Sequence, residues 1–401
     1  MAVTKGSAEM IGQRMQYVAI VLALVLFASF QARGAAAQSE NFKTKAKSAI
    51  LVVHGTGATL FEKKADELLP PASMSKLMTL AVVYKALKQS QLKMTDEFVM
   101  SEHAWRTGGA PSRTSAMFVP INTRASLEQL LQGIVVQSGN DAAIALAEGL
   151  AGSEEAFAKV MTAEARRIGL EKSTFANPTG LNHPDQLMSA RELAKLSEFI
   201  IAEYPEYYKM FAQKRFNYRR HKFINRNRLL FSDIGVDGLK TGYTKAAGYS
   251  VVISAVQNGR RLIAVLSGLK TSKERWAEAR RILEWGFSGF KDHKIFNADD
   301  IVGQARVWGG SQIYVPLVGQ KEISVLLPLY PANQKLRAEV VYDTPLKPPI
   351  AKGDQVATLR VTSNSGAINE IPLYAAEEIE RGGTMRRGLD SLFHLAFGWL
   401  P

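Results

Sequence analysis

A serine followed three residues later by a lysine can carry out acyl transfer, because one helical turn puts the hydroxyl and the amine on the same face. Ser73 and Lys76, in "PPASMSKLMT", have that spacing. The hydroxyl is a weak nucleophile until a base takes its proton. Lysine becomes such a base near neutral pH only when burial or a second cation lowers its pKa. Pro70 and Pro71 end the preceding segment, so Ser73 is expected at a helix N-terminus, where free backbone N–H groups favour developing negative charge. The pattern is not selective alone, since Ser90/Lys93, Ser267/Lys270 and Ser288/Lys291 repeat it.

Two further clusters suit the same reaction. Ser138-Gly139-Asn140 interrupts a helical stretch from Ser126 to Gly152. Its hydroxyl could relay a proton to a leaving amine, and its amide could orient Lys76 and the substrate backbone. Lys240-Thr241-Gly242, in "GVDGLKTGYTKAAGYS", offers a cation and a hydroxyl to a substrate carboxylate, with a glycine that leaves room for an extended peptide at the strand edge. Ser-x-Asn recurs at Ser39 to Asn41, and Lys270-Thr271-Ser272 is a near miss of the third cluster. In this order, 65 and 102 residues apart, the three are far more specific than any one. They match the S-x-x-K, S-D-N and K-T-G set of class A β-lactamases and penicillin-binding proteins, with Gly139 in place of the aspartate.

The elements that must position these residues are legible in outline. Lys47 to Phe61 reads as a hairpin around a Gly-bearing turn, and helical periodicity runs from about Ser73 to Leu87. Helices are expected at Glu154 to Ile168 and Ser189 to Glu203. Gly248 to Gly268 reads as strand, Asn-Gly turn and strand, and "KERWAEARRILEWGF" as a closing helix. Strands at both ends of a helical middle make an α+β domain, a sheet flanked by helices, over residues 38–290. Short alternating runs then predict a small β-rich domain over residues 291–378.

Both chain ends carry information. Lys5 and Arg14, the apolar run Met15 to Phe30 and the ending Ala35-Ala36-Ala37 describe a secretory signal peptide over residues 1–37. An exported protein is therefore expected. At the other end, residues 379–401 place Met385, Leu389, Leu392, Phe393, Ala396 and Leu400 on one helical stripe, with arginines toward the other side. Such a tail suits the interface of an anionic membrane.

Composition narrows the partners. The net charge is +13 over 401 residues, but Lys and Arg are scattered without a nucleic-acid-binding motif, so nucleic acid is not an expected partner. The densest basic run, "RRHKFINRNR" from Arg219 to Arg228, reads as a solvated surface, with a specific anion site as the alternative. The chain has no cysteine, and its six histidines have no ligand spacing, so no metal is expected.

With "GGAPSRTSAMFV", "VQSGNDAAIALAE" and "NPTGL" added, the mature chain resembles the D-alanyl-D-alanine carboxypeptidases, the low-molecular-weight penicillin-binding proteins, which have a β-lactamase/transpeptidase-like fold. The resemblance implies that Ser73 is acylated, that Lys76 is its base, and that Ser138 and Asn140 relay the proton and position groups. It makes Lys240, Thr241 and Gly242 the recognition strand, and the backbone N–H groups of Ser73 and Tyr243 the oxyanion hole. The family often has histidine where this chain has Tyr243. By position in "LKTSKERWAEA", Arg275 resembles the arginine that binds the terminal carboxylate. The implied reaction removes the terminal D-alanine from peptidoglycan pentapeptide and needs no metal or organic cofactor, with acylation by β-lactams and a periplasmic, membrane-associated location. A D,D-endopeptidase or transpeptidase uses the same three motifs. A β-lactamase is a further alternative on this fold, but no Glu-x-x-x-Asn pattern lies between Asn140 and Lys240.

Overall fold

A computed structural model of the chain describes residues 42–329, 336–343, 345–363 and 368–384. The expected signal peptide at 1–37 and the amphipathic stripe from Met385 onward lie outside them.

The catalytic region opens with the hairpin of β1, Ser48–Val53, and β2, Thr59–Lys63. Helices follow: α1, Lys76–Lys88; α2, Glu102–Gly108; α3, Leu127–Gln132; α4, Asn140–Ala151; α5, Glu154–Arg167; and α6, Ala190–Glu203. Next come β3, Val236–Thr244, β4, Gly248–Gln257, β5, Arg260–Leu269, and the long α7, Ser272–Ser288. The strands pair antiparallel in the order β2-β1-β5-β4-β3, so β3 carries a free edge. Ser126, Ser153, Ser189 and Thr271 cap α3, α5, α6 and α7 by accepting a backbone N–H, which fixes where each helix starts.

The period of two along the strands divides the sheet between two cores. Ile50, Val52, Val252, Ile263 and Val265 face the large helical core. Leu51, Val53, Val251, Ile253, Leu262 and Leu266 face α7. α1 has Leu77, Met78, Leu80, Ala81, Val83 and Tyr84 fully buried, so its first two turns run through the helical core, while Lys85 and Lys88 near its end reach the surface. That path takes Lys76 into the interior with it, at 0% exposure. α4 approaches α2 closely because Gly108 lacks a side chain, and a Cβ there would lie 2.4 Å from Asp141 N.

The second region is β-rich as expected. Its strands are β6, Phe290–Phe296; β7, Ile301–Arg306; β8, Tyr314–Val318; β9, Ile323–Pro328; β10, Leu336–Val341; β11, Gln355–Ser363; and β12, Ile368–Ala375. They pair antiparallel around a separate core that includes Val315, Leu317, Val325, Leu359, Val361, Leu373 and Ile379. One pairing, Ile368 with Thr59, joins β12 to the catalytic sheet. β6, β7 and β8 are not legible in the alternation, because their exposed residues vary between apolar and charged types along the strand.

Candidate active site

Ser73 does not lie in the first turn of an α-helix. It sits in a 3₁₀ turn, Ala72–Ser75, and α1 starts at Lys76. A 3₁₀ turn has three residues per turn, so residues i and i+3 eclipse and the Ser73 and Lys76 side chains stand over one another. Ala72, just before Ser73, has φ +49°, a left-handed conformation that costs a non-glycine residue about 1 kcal/mol.

The Lys76 amine has three oxygen neighbours. Nζ lies 3.1 Å from Ser73 Oγ, 2.6 Å from Asn140 Oδ1 and 2.5 Å from Thr179 O. Burial first, then the Arg226 guanidinium, push its pKa down to about 7, against the opposing pull of Asp141 and Glu154. A neutral amine has two N–H donors and one lone pair. The amide oxygen and the peptide carbonyl can only accept, so they take the two donors. The lone pair is left for the Ser73 O–H, the arrangement a general base requires.

Both acceptors are held rigidly. Asn140 Nδ2 donates to Thr114 Oγ1 at 2.9 Å, which sets the amide so that Oδ1 faces Lys76. The next residue, Asp141, is fully buried and accepts from the backbone N–H groups of Met117, Phe118 and Val119, tying that segment to α4. Thr179 belongs to the "NPTGL" loop, where Asn177 Oδ1 accepts from Thr179 N, Thr179 Oγ1 and Gly180 N. Thr79 Oγ1, one turn along α1, donates to Pro178 O at 2.8 Å and pins the loop to the helix. Gly180 has φ +77°, and a Cβ there would lie 1.9 Å from Ala72 O, so only glycine fits against the turn that carries Ser73.

Ser138 follows a π-helical turn, Gly133–Gln137, and takes a left-handed conformation with φ +64°. Its Oγ is buried without a hydrogen-bond partner, yet it lines the same cleft as Ser73. A buried hydroxyl left unpaired is costly unless something arrives to pair it. Across the cleft, β3 presents Thr241 and Tyr243, with Lys240 buried beneath. Burial first, then the charges of Lys76, Arg226 and Arg275, hold the Lys240 ammonium well below the usual lysine range. Gly242 lets the strand approach, since a Cβ there would lie 2.8 Å from Pro71 O.

Arg275, in the first turn of α7, is 8% exposed and reaches Gly242 O only at 3.4 Å. Its Nε has no partner. Stacking holds it instead: its guanidinium carbon lies 4.5 Å from the Trp276 ring centroid and 5.5 Å from that of Tyr249. Tyr249 in turn packs on Tyr243 at 4.2 Å, so the aromatic residue after Lys-Thr-Gly extends this stack. Burial pushes Arg275 down to about 10, as expected of a buried cation without a counter-ion.

Ser73, Ser138, Thr241, Gly242, Tyr243 and Arg275 therefore line one cleft of about 700 Å³, with Lys76, Asn140 and Lys240 packed behind or beside it. The repeated Ser-x-x-Lys pairs lie elsewhere: Ser90 is exposed beyond α1, Ser267 is on β5 and Ser288 ends α7. Reading the sequence missed the roles of Thr114, Asn177 and Thr179 in holding Lys76 and Asn140. Their segments, "GGAPSRTSAMFV" and "NPTGL", were marked only by resemblance. It also missed Arg226 and Arg228, which line the cleft rather than a remote surface.

The D-alanyl-D-alanine carboxypeptidase family model matches residues 34–271, and the model of the penicillin-binding protein 5 C-terminal domain matches residues 290–381. The chain is 38% identical over 358 residues to the D-alanyl-D-alanine carboxypeptidase DacC of Escherichia coli, covering 88% of this chain and 90% of the relative. Its structure is similar to that of penicillin binding protein 5 from Haemophilus influenzae, with a TM-score of 0.71, 34% identity, and coverage of 85% of this chain and 99% of the other. It is also similar to penicillin-binding protein D2 from Listeria monocytogenes in an ampicillin-bound form, with a TM-score of 0.53, 28% identity, and coverage of 62% and 100%. A buried lysine amine within hydrogen-bond reach of a serine hydroxyl, on a β-lactamase/transpeptidase-like domain followed by a β-rich domain, agrees with those matches: the chain belongs to the D-alanyl-D-alanine carboxypeptidase family and is a serine-type carboxypeptidase of that kind.

Proposed function

We propose that Ser73 is the acylated nucleophile and neutral Lys76 its base. The Ser73 Oγ attacks the carbonyl carbon between the two terminal D-alanines of a peptidoglycan pentapeptide while its proton passes to Lys76 Nζ. The backbone N–H groups of Ser73 and Tyr243 receive the oxyanion. Ser138 carries a proton to the leaving amine, free D-alanine departs, and water hydrolyses the ester. Lys240, Thr241 and Arg275 hold the terminal carboxylate, and Asn140 positions Lys76 and the substrate backbone. The observation that carries this reading is the Lys76 amine, fully buried, with two fixed acceptors and Ser73 Oγ as its third neighbour.

β-Lactams resemble the terminal dipeptide, and the ampicillin-bound Listeria neighbour supports their acylating Ser73. The test of the reaction is incubation of the mature protein with a pentapeptide ending in D-alanyl-D-alanine, with products weighed by mass spectrometry. One free D-alanine per tetrapeptide is expected. Cross-linked dimers as the main product would assign transpeptidation instead.

The same proposal covers the organisation of the chain: a signal peptide at 1–37, the catalytic domain at 38–290, the β domain at 291–378 and a tail at 379–401 that holds the exported enzyme on the periplasmic face of the inner membrane. Among the described residues no helix is long and apolar enough to cross a membrane. Ile379 is fully buried, and Gly382 N donates to Gly309 O, so a clean removal of the tail cuts after Thr384. The protein truncated there is expected in the soluble fraction with D-alanine release intact. Retention on the membrane after signal cleavage would exclude the tail as the anchor.

A further inference from the structure

The basic run that reads in the sequence as a solvated surface is built into the wall of the cleft. Its end, Asn225-Arg226-Asn227-Arg228, alternates buried asparagines with exposed arginines. Asn225 Nδ2 donates to Gln213 O, and Asn225 Oδ1 accepts from Asn227 N. Asn227 Nδ2 donates to Gly238 O on β3, and Asn227 Oδ1 caps the short turn Arg228–Phe231. Asn227 thus ties this segment to the recognition strand while Asn225 ties it to Gln213, and both arginines line the cleft that contains Ser73.

Neither arginine side chain has a hydrogen-bonded or ion-paired partner among the described residues, and no acidic side chain lines the cleft. Arg226 is near enough to weigh on Lys76, Lys240 and Arg275, and Arg228 on Arg275. Three arginines therefore line one cleft, to which the terminal carboxylate of the proposed substrate brings a single negative charge. Holding like charges together without a counter-ion is unfavourable, and a ligand with a second anion relieves it. A planar guanidinium fits a carboxylate with two parallel hydrogen bonds.

We propose that Arg228, supported by Arg226, binds a second carboxylate of the substrate, carried on the amino-terminal side of the scissile bond, so that the enzyme selects diacid peptides over peptides with one carboxylate. This rests on Ser73 being the acylated residue in the same cleft. Ile224 and Phe231, 61% and 48% exposed on the cleft wall, give the intervening aliphatic chain an apolar surface.

The test compares two acetylated tripeptides ending in D-alanyl-D-alanine. One has lysine at the first position, and the other has diaminopimelic acid, whose side chain ends in a free carboxylate. The readout is the ratio of their kcat/KM values for D-alanine release, in which losses common to both peptides cancel. The wild type is expected to prefer the diacid by about tenfold, the scale of one charge-assisted pair. Arg228→Gln should bring the ratio close to one, and Arg228→Lys should keep part of the preference. A wild-type ratio of one, or an Arg228→Gln ratio equal to that of the wild type, overturns the proposal. If the wild type releases D-alanine from neither peptide, the catalytic assignment of Ser73 fails as well.

Discussion

Lys76→Met is expected to lower the second-order rate of acylation by about 10³-fold while the protein stays folded. Methionine matches the buried stem in length but has no lone pair for the Ser73 proton, and a positioned general base is worth about 10² to 10⁴. The pH dependence gives an independent reading of the same group. Burial lowers the Lys76 pKa to about 7, so the ammonium form, which cannot accept a proton, dominates below that pH. Acylation by the wild type should therefore rise as pH increases through about 7 and then level off. The residual rate of Lys76→Met should lose that rising limb. A variant within tenfold of the wild type, or an unchanged pH limb, would show that another group is the base.

Gly180→Ala should be the most damaging single change outside the reacting groups. The backbone there is left-handed, at φ +77°, and the added methyl would lie 1.9 Å from Ala72 O and 2.5 Å from Ser75 Oγ. Neither side yields readily. Three hydrogen bonds to Asn177 fix Thr179 and Gly180, and Ala72 opens the turn that carries Ser73. Relief of the clash would shift either the nucleophile turn or the Thr179 carbonyl that orients Lys76. Backbone strain and overpacking together should cost about 3 kcal/mol, with acylation reduced about 100-fold. Gly152→Ala is the matched control: its φ is +82°, but a Cβ there has nothing within 4 Å. It should cost only about 1 kcal/mol and leave acylation unchanged. Equal effects of the two substitutions on acylation would mean that contact with the nucleophile turn is unimportant.

Much of this site was legible because its chemistry is written in side chains at recognisable spacing. Ser73, Lys76, Ser138, Asn140, Lys240 and Thr241 come together in space as their motifs and order imply. The order of strands and helices was legible because the sheet strands are apolar runs, the hairpins have glycine-bearing turns and the helices show helical periodicity. Arg275 was marked only by resemblance, since what makes it distinctive, burial against Tyr249 of β4 as well as its neighbour Trp276 without an acidic partner, depends on how α7 packs on the sheet. The third neighbour of Lys76 could not be seen at all, because a peptide carbonyl has no residue type. The basic run ending at Arg228 was misjudged for a related reason: composition does not show which way charges point. The buried asparagines between the arginines turn two of them into the cleft.

The central claim, that Ser73 alone is acylated, is tested most directly by mapping a labelled penicillin on the purified mature protein. After reaction and proteolysis, one peptide, the one containing Ser73, should gain the mass of the drug, and Ser73→Ala should gain none. Label on a peptide that lacks Ser73, or undiminished labelling of Ser73→Ala, would contradict the assignment.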